Sequence, residues 1–172
     1  MVPPIKFAHV VLKTSRYDEL VAWWKDFLEA SPRHESGFIT FLSYDDEHHR
    51  IAIANFPRLE PRPERAAGVE HFAFTYATLD DLFAQYERMK AKGVLPYWTI
   101  NHGMTLSAYY ADPDGNQVET QVDTMDMASA EAFMASEVFA ANPIGVDVDF
   151  EAIVARWRAG ASLDSLLEYS AD

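Results

Sequence analysis

Two stretches of this chain are copies of one another. Phe7 to Ala30 (FAHVVLKTSRYDELVAWWKDFLEA) can be set without a gap beneath Val69 to Lys92 (VEHFAFTYATLDDLFAQYERMKAK). His9 then falls on His71, Asp18 on Asp80, Glu19 on Asp81, Leu20 on Leu82, Ala22 on Ala84 and Trp24 on Tyr86. Self-similarity of this kind restricts the fold to a duplicated supersecondary unit. Each copy reads as a strand, a Ser/Thr able to begin a helix, and an amphipathic helix. Leu20, Trp23, Trp24 and Phe27 give helical spacing in the first copy, and Leu82, Phe83, Tyr86 and Met89 in the second. Short strand-like runs follow each helix: 38–44 and 50–56 in the first copy, then 95–100, 105–111 and 117–122 in the second.

The segment PRLEPRPERAAG, rich in Pro and charge, reads as the join between the copies. The expected architecture is α+β: one domain over 1–123, built of two tandem βαβββ modules forming a curled mixed sheet, and a helical tail over 124–172. The modules run over about 5–57 and 69–123, with a linker at 58–68. Tail helices are expected over 129–139 and 150–159. A duplicated unit buries its sheets most simply by pairing them about a pseudo-twofold axis, with strands of both copies curling around one cavity.

Charge and composition narrow the partners. At 172 residues with 49% hydrophobic content, the chain can bury a sizeable core. Its formal net charge of -13 disfavours nucleic acid, whose phosphates need clustered Lys and Arg. Nine Asp/Glu against two Arg after position 123 make the tail an acidic, solvated helical surface. With no cysteine, disulfides, thiolate metal sites and a cysteine nucleophile are excluded, which suits a reducing compartment. The N-terminus carries no long apolar h-region and no run reaches membrane-span length, so a cytoplasmic location is expected.

The chemistry gathers on three residues. His9 (FAHVVL) and His71 (VEHFAF) read as mid-strand residues among apolar neighbours. One such histidine is more often structural than ligating; two in the same repeat register shift the balance, because neutral imidazoles on rigid strands grip Fe, Mn, Zn or Ni. The third is Glu119 in YYADPDGNQVE. A three-residue loop of Pro113, Asp114 and Gly115 pairs Asp112 with Asn116, and counting back sets Tyr109 opposite Glu119 on one face of the hairpin. Two histidines and a carboxylate form a facial triad with open positions, as in non-haem Fe(II) oxygenases; zinc fits the same ligands.

These residues, with EHF, HG and the repeated module, resemble the vicinal oxygen chelate superfamily, and within it the type I extradiol ring-cleaving dioxygenases. The strand DDEHHRIAIANFP is similar to the one that carries an active-site histidine in those enzymes, here His49. The resemblance covers roughly residues 5–123. It implies His9, His71 and Glu119 as ligands of Fe(II), with Mn(II) suited to the same donors. It implies His49 as the acid/base residue beside a catechol-type substrate and O2, and Tyr109 as a hydrogen-bond donor to a substrate oxygen. His102 (INHGMT) would be a second substrate-side histidine, although it precedes Tyr109 by seven residues where the family's histidine precedes its tyrosine by nine. The familiar four-module enzymes are larger, and by analogy with other two-module members a homodimer is admitted.

Two other readings share the fold. One is a metal-dependent isomerase, lyase or thiol transferase, which would take a fourth ligand from the last strand of the first module. There RIAIANF offers only Asn55. The other is a metal-free binding protein of the bleomycin-resistance kind, which would not need His9, His71, Glu119, His49 and Tyr109 together. His34 reads as a loop residue and His48 as an exposed one, pointing away from His49. Tyr110 is expected to face away from Glu119.

Overall fold

The structure, a computed structural model, describes residues 1–63 and 65–167. By contact density the chain divides into two units: residues 1–69 with the hairpin loop Asp112–Asn116, and residues 70–111 with 117 onward.

The first unit contains β1 (Val10–Thr14), α1 (Tyr17–Leu28), β2 (Ser31–Glu35), β3 (Ile39–Ser43) and β4 (Ile51–Asn55). They form a four-stranded mixed sheet in the order β1-β4-β3-β2, with β1 parallel to β4. The helix buries Leu20, Val21, Trp24, Phe27 and Leu28, the face that its apolar spacing marks out. β4 reads IAIA and is buried on both sides, as a central strand should be. Contrary to expectation, the Ser/Thr before α1 does not cap it: Arg16 holds that position without a side-chain bond, and Thr14 Oγ1 accepts from Arg16 N at 2.8 Å instead.

The second unit repeats the pattern with β5 (His71–Tyr76), α2 (Leu79–Ala91), β6 (Trp98–Asn101), β7 (Thr105–Ala111) and β8 (Gln117–Asp123). Here Thr78 does cap the helix, accepting from Asp81 N at 3.1 Å. Each copy is therefore βαβββ, and the α+β reading holds. The first copy's β2, SPRHE, was not expected, and His34 lies in it rather than in a loop. It is exposed along its whole length, so it carries no alternation; it is the sheet's edge strand and its pairing shifts register at Pro32/His34.

The tail continues the second unit as α3 (Met127–Met134), α4 (Glu137–Ala141), β9 (Val146–Asp147), α5 (Phe150–Arg158) and α6 (Leu163–Leu166). The single helix expected over 129–139 is two: the first stops at Met134, and Ser136 caps the next by accepting from Phe139 N at 3.2 Å. β9 adds to the second sheet, whose order is β5-β8-β7-β6-β9. α5 packs Phe150 edge-on against Phe83 and Tyr86 of α2, and Arg158 pairs with Asp80 and Glu87 at 2.9 and 3.1 Å. Residues 168–172 of the expected tail lie outside the described residues. No helix among the described residues is long and apolar enough to cross a membrane.

Candidate active site

In the second unit the strand register builds the site. β7 and β8 pair antiparallel with Tyr109 opposite Glu119, and β5 runs parallel to β8 with His71 opposite Gln117 and Ala73 opposite Glu119. His71, Glu119 and Tyr109 therefore share one face of the sheet. His71 Nε2 lies 3.1 Å from Glu119 Oε2, and the His71 and Tyr109 rings meet edge to face at 5.2 Å. His102, just past β6, sets Nε2 3.0 Å from the Tyr109 hydroxyl and 3.9 Å from Glu119 Oε1. The shorter spacing between His102 and Tyr109 does not keep them apart.

Glu119 is 4% exposed, and among the described residues no Lys or Arg pairs with it. A carboxylate taken out of water in this way needs a cation. Burial and the neighbouring Glu119 raise the Tyr109 hydroxyl above the ordinary tyrosine range, so it remains a donor at neutral pH. Tyr110, the next residue, points the other way, its hydroxyl 3.4 Å from Gln85 on α2.

His102, Tyr109 and Glu119 open into a cavity of about 510 Å³. Its walls include Met104, Met125 and, from α3, Met127 and Met134. Sequence reasoning passed over these methionines; their only signal is that four of the chain's six fall between 104 and 134. It also missed Trp98, which stacks on the Tyr109 ring at 4.7 Å.

The first unit gathers a different set. His49 stacks on Phe41 at 4.6 Å and lies 4.3 Å from the His9 ring. Burial holds the His49 imidazole below the usual histidine range, with His9 and His48 acting in the same direction. His48 and His49 were expected on opposite faces of a strand. Both instead lie in the loop before β4, with their Nδ1 atoms 2.6 Å apart, because the strand begins only at Ile51. His48 is exposed, as expected. His9 and His71 were expected mid-strand; His9 precedes β1 and His71 is the first residue of β5. Strand ends are freer to aim side chains out of a sheet than strand centres. Arg50, held by Asp45, secures the backbone before His9 by donating to Phe7 O at 2.7 Å and Ala8 O at 3.2 Å.

The first unit has no carboxylate at the register that Glu119 holds in the second. β1 pairs Val11 with Ala52, and β3 pairs Phe41 with Ala52, just as Ala73 and Tyr109 pair with Glu119. Ala52 is the counterpart of Glu119 and Phe41 that of Tyr109. Asn55 stands three residues further along, donating to Gly37 O at 3.1 Å. The position that would supply a fourth ligand is an alanine.

Within either unit the described residues hold no group of three or more His, Asp or Glu able to hold a metal ion alone. The second unit supplies a histidine and a buried, cation-free carboxylate. That donor chemistry fits a divalent metal of the Fe(II), Mn(II) or Zn(II) kind.

The family model for the Glyoxalase/Bleomycin resistance protein/Dioxygenase superfamily matches residues 6–120. The chain belongs to this superfamily. A Rhodococcus globerulus protein named biphenyl-2,3-diol 1,2-dioxygenase 2 is 42% identical over 167 residues, covering 96% of this chain and 88% of that one. A second from the same organism, biphenyl-2,3-diol 1,2-dioxygenase 3, is 35% identical over 90% of this chain and 83% of its own length. Among solved structures, a glyoxylase/bleomycin resistance protein/dioxygenase domain from Frankia sp. EAN1pec superposes with a TM-score of 0.59 at 17% identity, covering 70% of this chain and 99% of the domain. At that identity the superposition speaks for the fold.

Proposed function

We propose that the protein is a non-haem Fe(II)-dependent extradiol dioxygenase. It would open a catechol-type ring with O2 beside the two hydroxyl-bearing carbons, giving a muconic semialdehyde-type product. One observation carries the reading. In a chain 42% identical to a biphenyl-2,3-diol 1,2-dioxygenase along nearly its whole length, a buried carboxylate without a Lys or Arg partner among the described residues meets an imidazole at 3.1 Å, and a tyrosine stands opposite it in the hairpin. The alanine at position 52 speaks against the four-ligand enzymes of the superfamily.

His9, His71 and Glu119 are the proposed ligands; Fe(II) is the proposed metal, and Mn(II) suits the same donors. Bound there, the metal supplies Lewis acidity toward the catechol oxygens and a site for O2. The protein's own residues do the rest. His49 takes the proton released when the catechol binds, a role open to a neutral imidazole. Tyr109 donates its hydroxyl hydrogen to a substrate oxygen where charge develops. Before substrate binds, that hydrogen is held by His102 Nε2, 3.0 Å from the hydroxyl oxygen, and it turns to the substrate on binding. The methionine-lined walls give the ring a surface from which water is displaced. The protein would work in the cytoplasm, as a homodimer, on small molecules.

The full-length protein, loaded anaerobically with Fe(II), is mixed in air with catechol, 3-methylcatechol and 2,3-dihydroxybiphenyl. Yellow semialdehyde absorbance matched by oxygen uptake is expected. A fully iron-loaded sample that is silent with all three would overturn the reading.

A further inference from the structure

The dioxygenase reading gives His102 a task without saying what aims it. We propose that the tail is an active-site element: the Ile144 carbonyl, brought against the His102 ring by Gly145, keeps the proton on Nδ1 and so leaves Nε2 bare to accept from the Tyr109 hydroxyl. Only the effect on turnover rests on the dioxygenase reading.

The hydrogen-bond roles follow from the partners. His102 Nδ1 is bonded to Ile144 O, and a carbonyl oxygen can only accept, so Nδ1 must carry hydrogen. In the neutral form that we assign to His102, the imidazole has one such hydrogen. Nε2, 3.0 Å from the Tyr109 oxygen, is therefore the acceptor, and the tyrosine the donor. With the proton on Nε2 instead, two lone pairs would face each other at Ile144.

The approach of the tail depends on Gly145. Its φ of +118° lies in a region that other residues avoid. A Cβ on it would run into the Asn101 carbonyl and stand 2.9 Å from His102 Cα. Asn142 brackets the same residue, donating to Gly145 O at 2.7 Å and accepting from Gly145 N at 3.1 Å. The chain then enters β9, where Val146 pairs with Asn101 and Asp147 with Ile100. Trp98 Nε1 donates to Asp147 Oδ1 at 2.7 Å.

Two further tail contacts hold the segment that carries His102. The Phe133 ring of α3 lies against Gly103, whose φ of +87° and missing side chain make room for it. Leu167 O accepts from Asn101 Nδ2 at 3.2 Å, while Asn101 Oδ1 accepts from Gly103 N at 2.8 Å. Asn101, His102 and Gly103 are thus each gripped by a different part of the tail. Ile144 and Gly145 act through His102 and are positioning residues.

The test reads the tautomer directly. Long-range 1H–15N correlation spectra of the full-length protein, metal-free and Zn(II)-loaded, are assigned by the signal lost in His102→Gln. They should show His102 protonated at Nδ1 and bare at Nε2. In Gly145→Ala the signature should shift toward mixed tautomers, and kcat of the Fe(II) enzyme should fall about 10–100-fold with KM little changed, the range for losing a residue behind a functional side chain. Should Gly145→Ala fail to fold, Asn142→Ala gives the same two readings with the glycine in place. A wild-type proton on Nε2 overturns the proposal, as does a folded variant in which either reading changes without the other or in which neither changes. If the wild type cleaves no catechol, the dioxygenase reading fails, and the tautomer reading alone decides the tail's hold on His102.

Discussion

His71 and Glu119 stand on neighbouring parallel strands, two residues out of register, and that diagonal brings Nε2 of one to 3.1 Å from Oε2 of the other. Among the described residues no Lys or Arg pairs with this desolvated carboxylate, so in the metal-free protein it is a cost to folding and in the loaded protein it is the proposed ligand. Glu119→Gln separates the two. Metal affinity is expected to fall beyond the ~10–100-fold typical of losing a residue behind a ligand. The metal-free variant should melt no lower than wild type. Iron content after anaerobic loading and a melting curve check both. A metal-free variant that melts several degrees lower would make the carboxylate a structural group.

Tyr109→Phe keeps the ring that stacks on Trp98 and removes only the hydroxyl. Losing one preorganised donor costs about 10²–10³ in kcat, and that is the fall expected here at constant metal content. Because burial and Glu119 raise this hydroxyl, it stays protonated through neutral and mildly alkaline pH. An alkaline limb of kcat below pH 10 should therefore persist in Tyr109→Phe, because it arises elsewhere than at this hydroxyl.

The repeat made the βαβββ order legible, and with it the matched register of His9 and His71. The three-residue loop made Tyr109 legible as the partner of Glu119, since a hairpin count depends only on loop length. What escaped was whatever depends on exposure or on backbone. β2 could not be seen because an edge strand with Pro32 and no buried position has no period to detect. The start of β4 at Ile51 put His48 and His49 in a loop, where strand alternation does not apply. The hold on His102 comes from a main-chain oxygen 42 residues away, which no side-chain pattern records.

The methionines of the cavity bear on substrate size. Met104 and Met125 are half-buried in its wall with Tyr109 and Glu119, and a thioether side chain adapts its shape to what it touches. Replacing either by alanine makes room without adding charge. A ring substituent is discriminated by about 1–3 kcal/mol per methylene. Met104→Ala and Met125→Ala should thus raise kcat/KM for 2,3-dihydroxybiphenyl relative to 3-methylcatechol by about tenfold or more. An unchanged ratio in both variants would place the substituent elsewhere.

Stability rests on Asp112 at the base of the hairpin loop. Its carboxylate is 4% exposed and accepts from Asp114 N at 3.0 Å, Asn116 N and Nδ2 at 2.9 Å each, and Trp24 Nε1 at 3.1 Å. Asp112→Ala orphans all four donors and should cost about 3 kcal/mol or more; Asp112→Asn, which turns one acceptor into a donor facing Trp24 or Asn116, should cost about 1–3 kcal/mol. Burial nevertheless holds the carboxyl above the usual aspartate range against these bonds. A carboxyl raised on folding contributes its full stability below the unfolded value of about 3.9 and loses it as pH rises through the folded one. The advantage of wild type over Asp112→Asn should therefore narrow from pH 4 to pH 7 in urea titrations. A gap that widens over that interval would show that the four hydrogen bonds outweigh burial at this group.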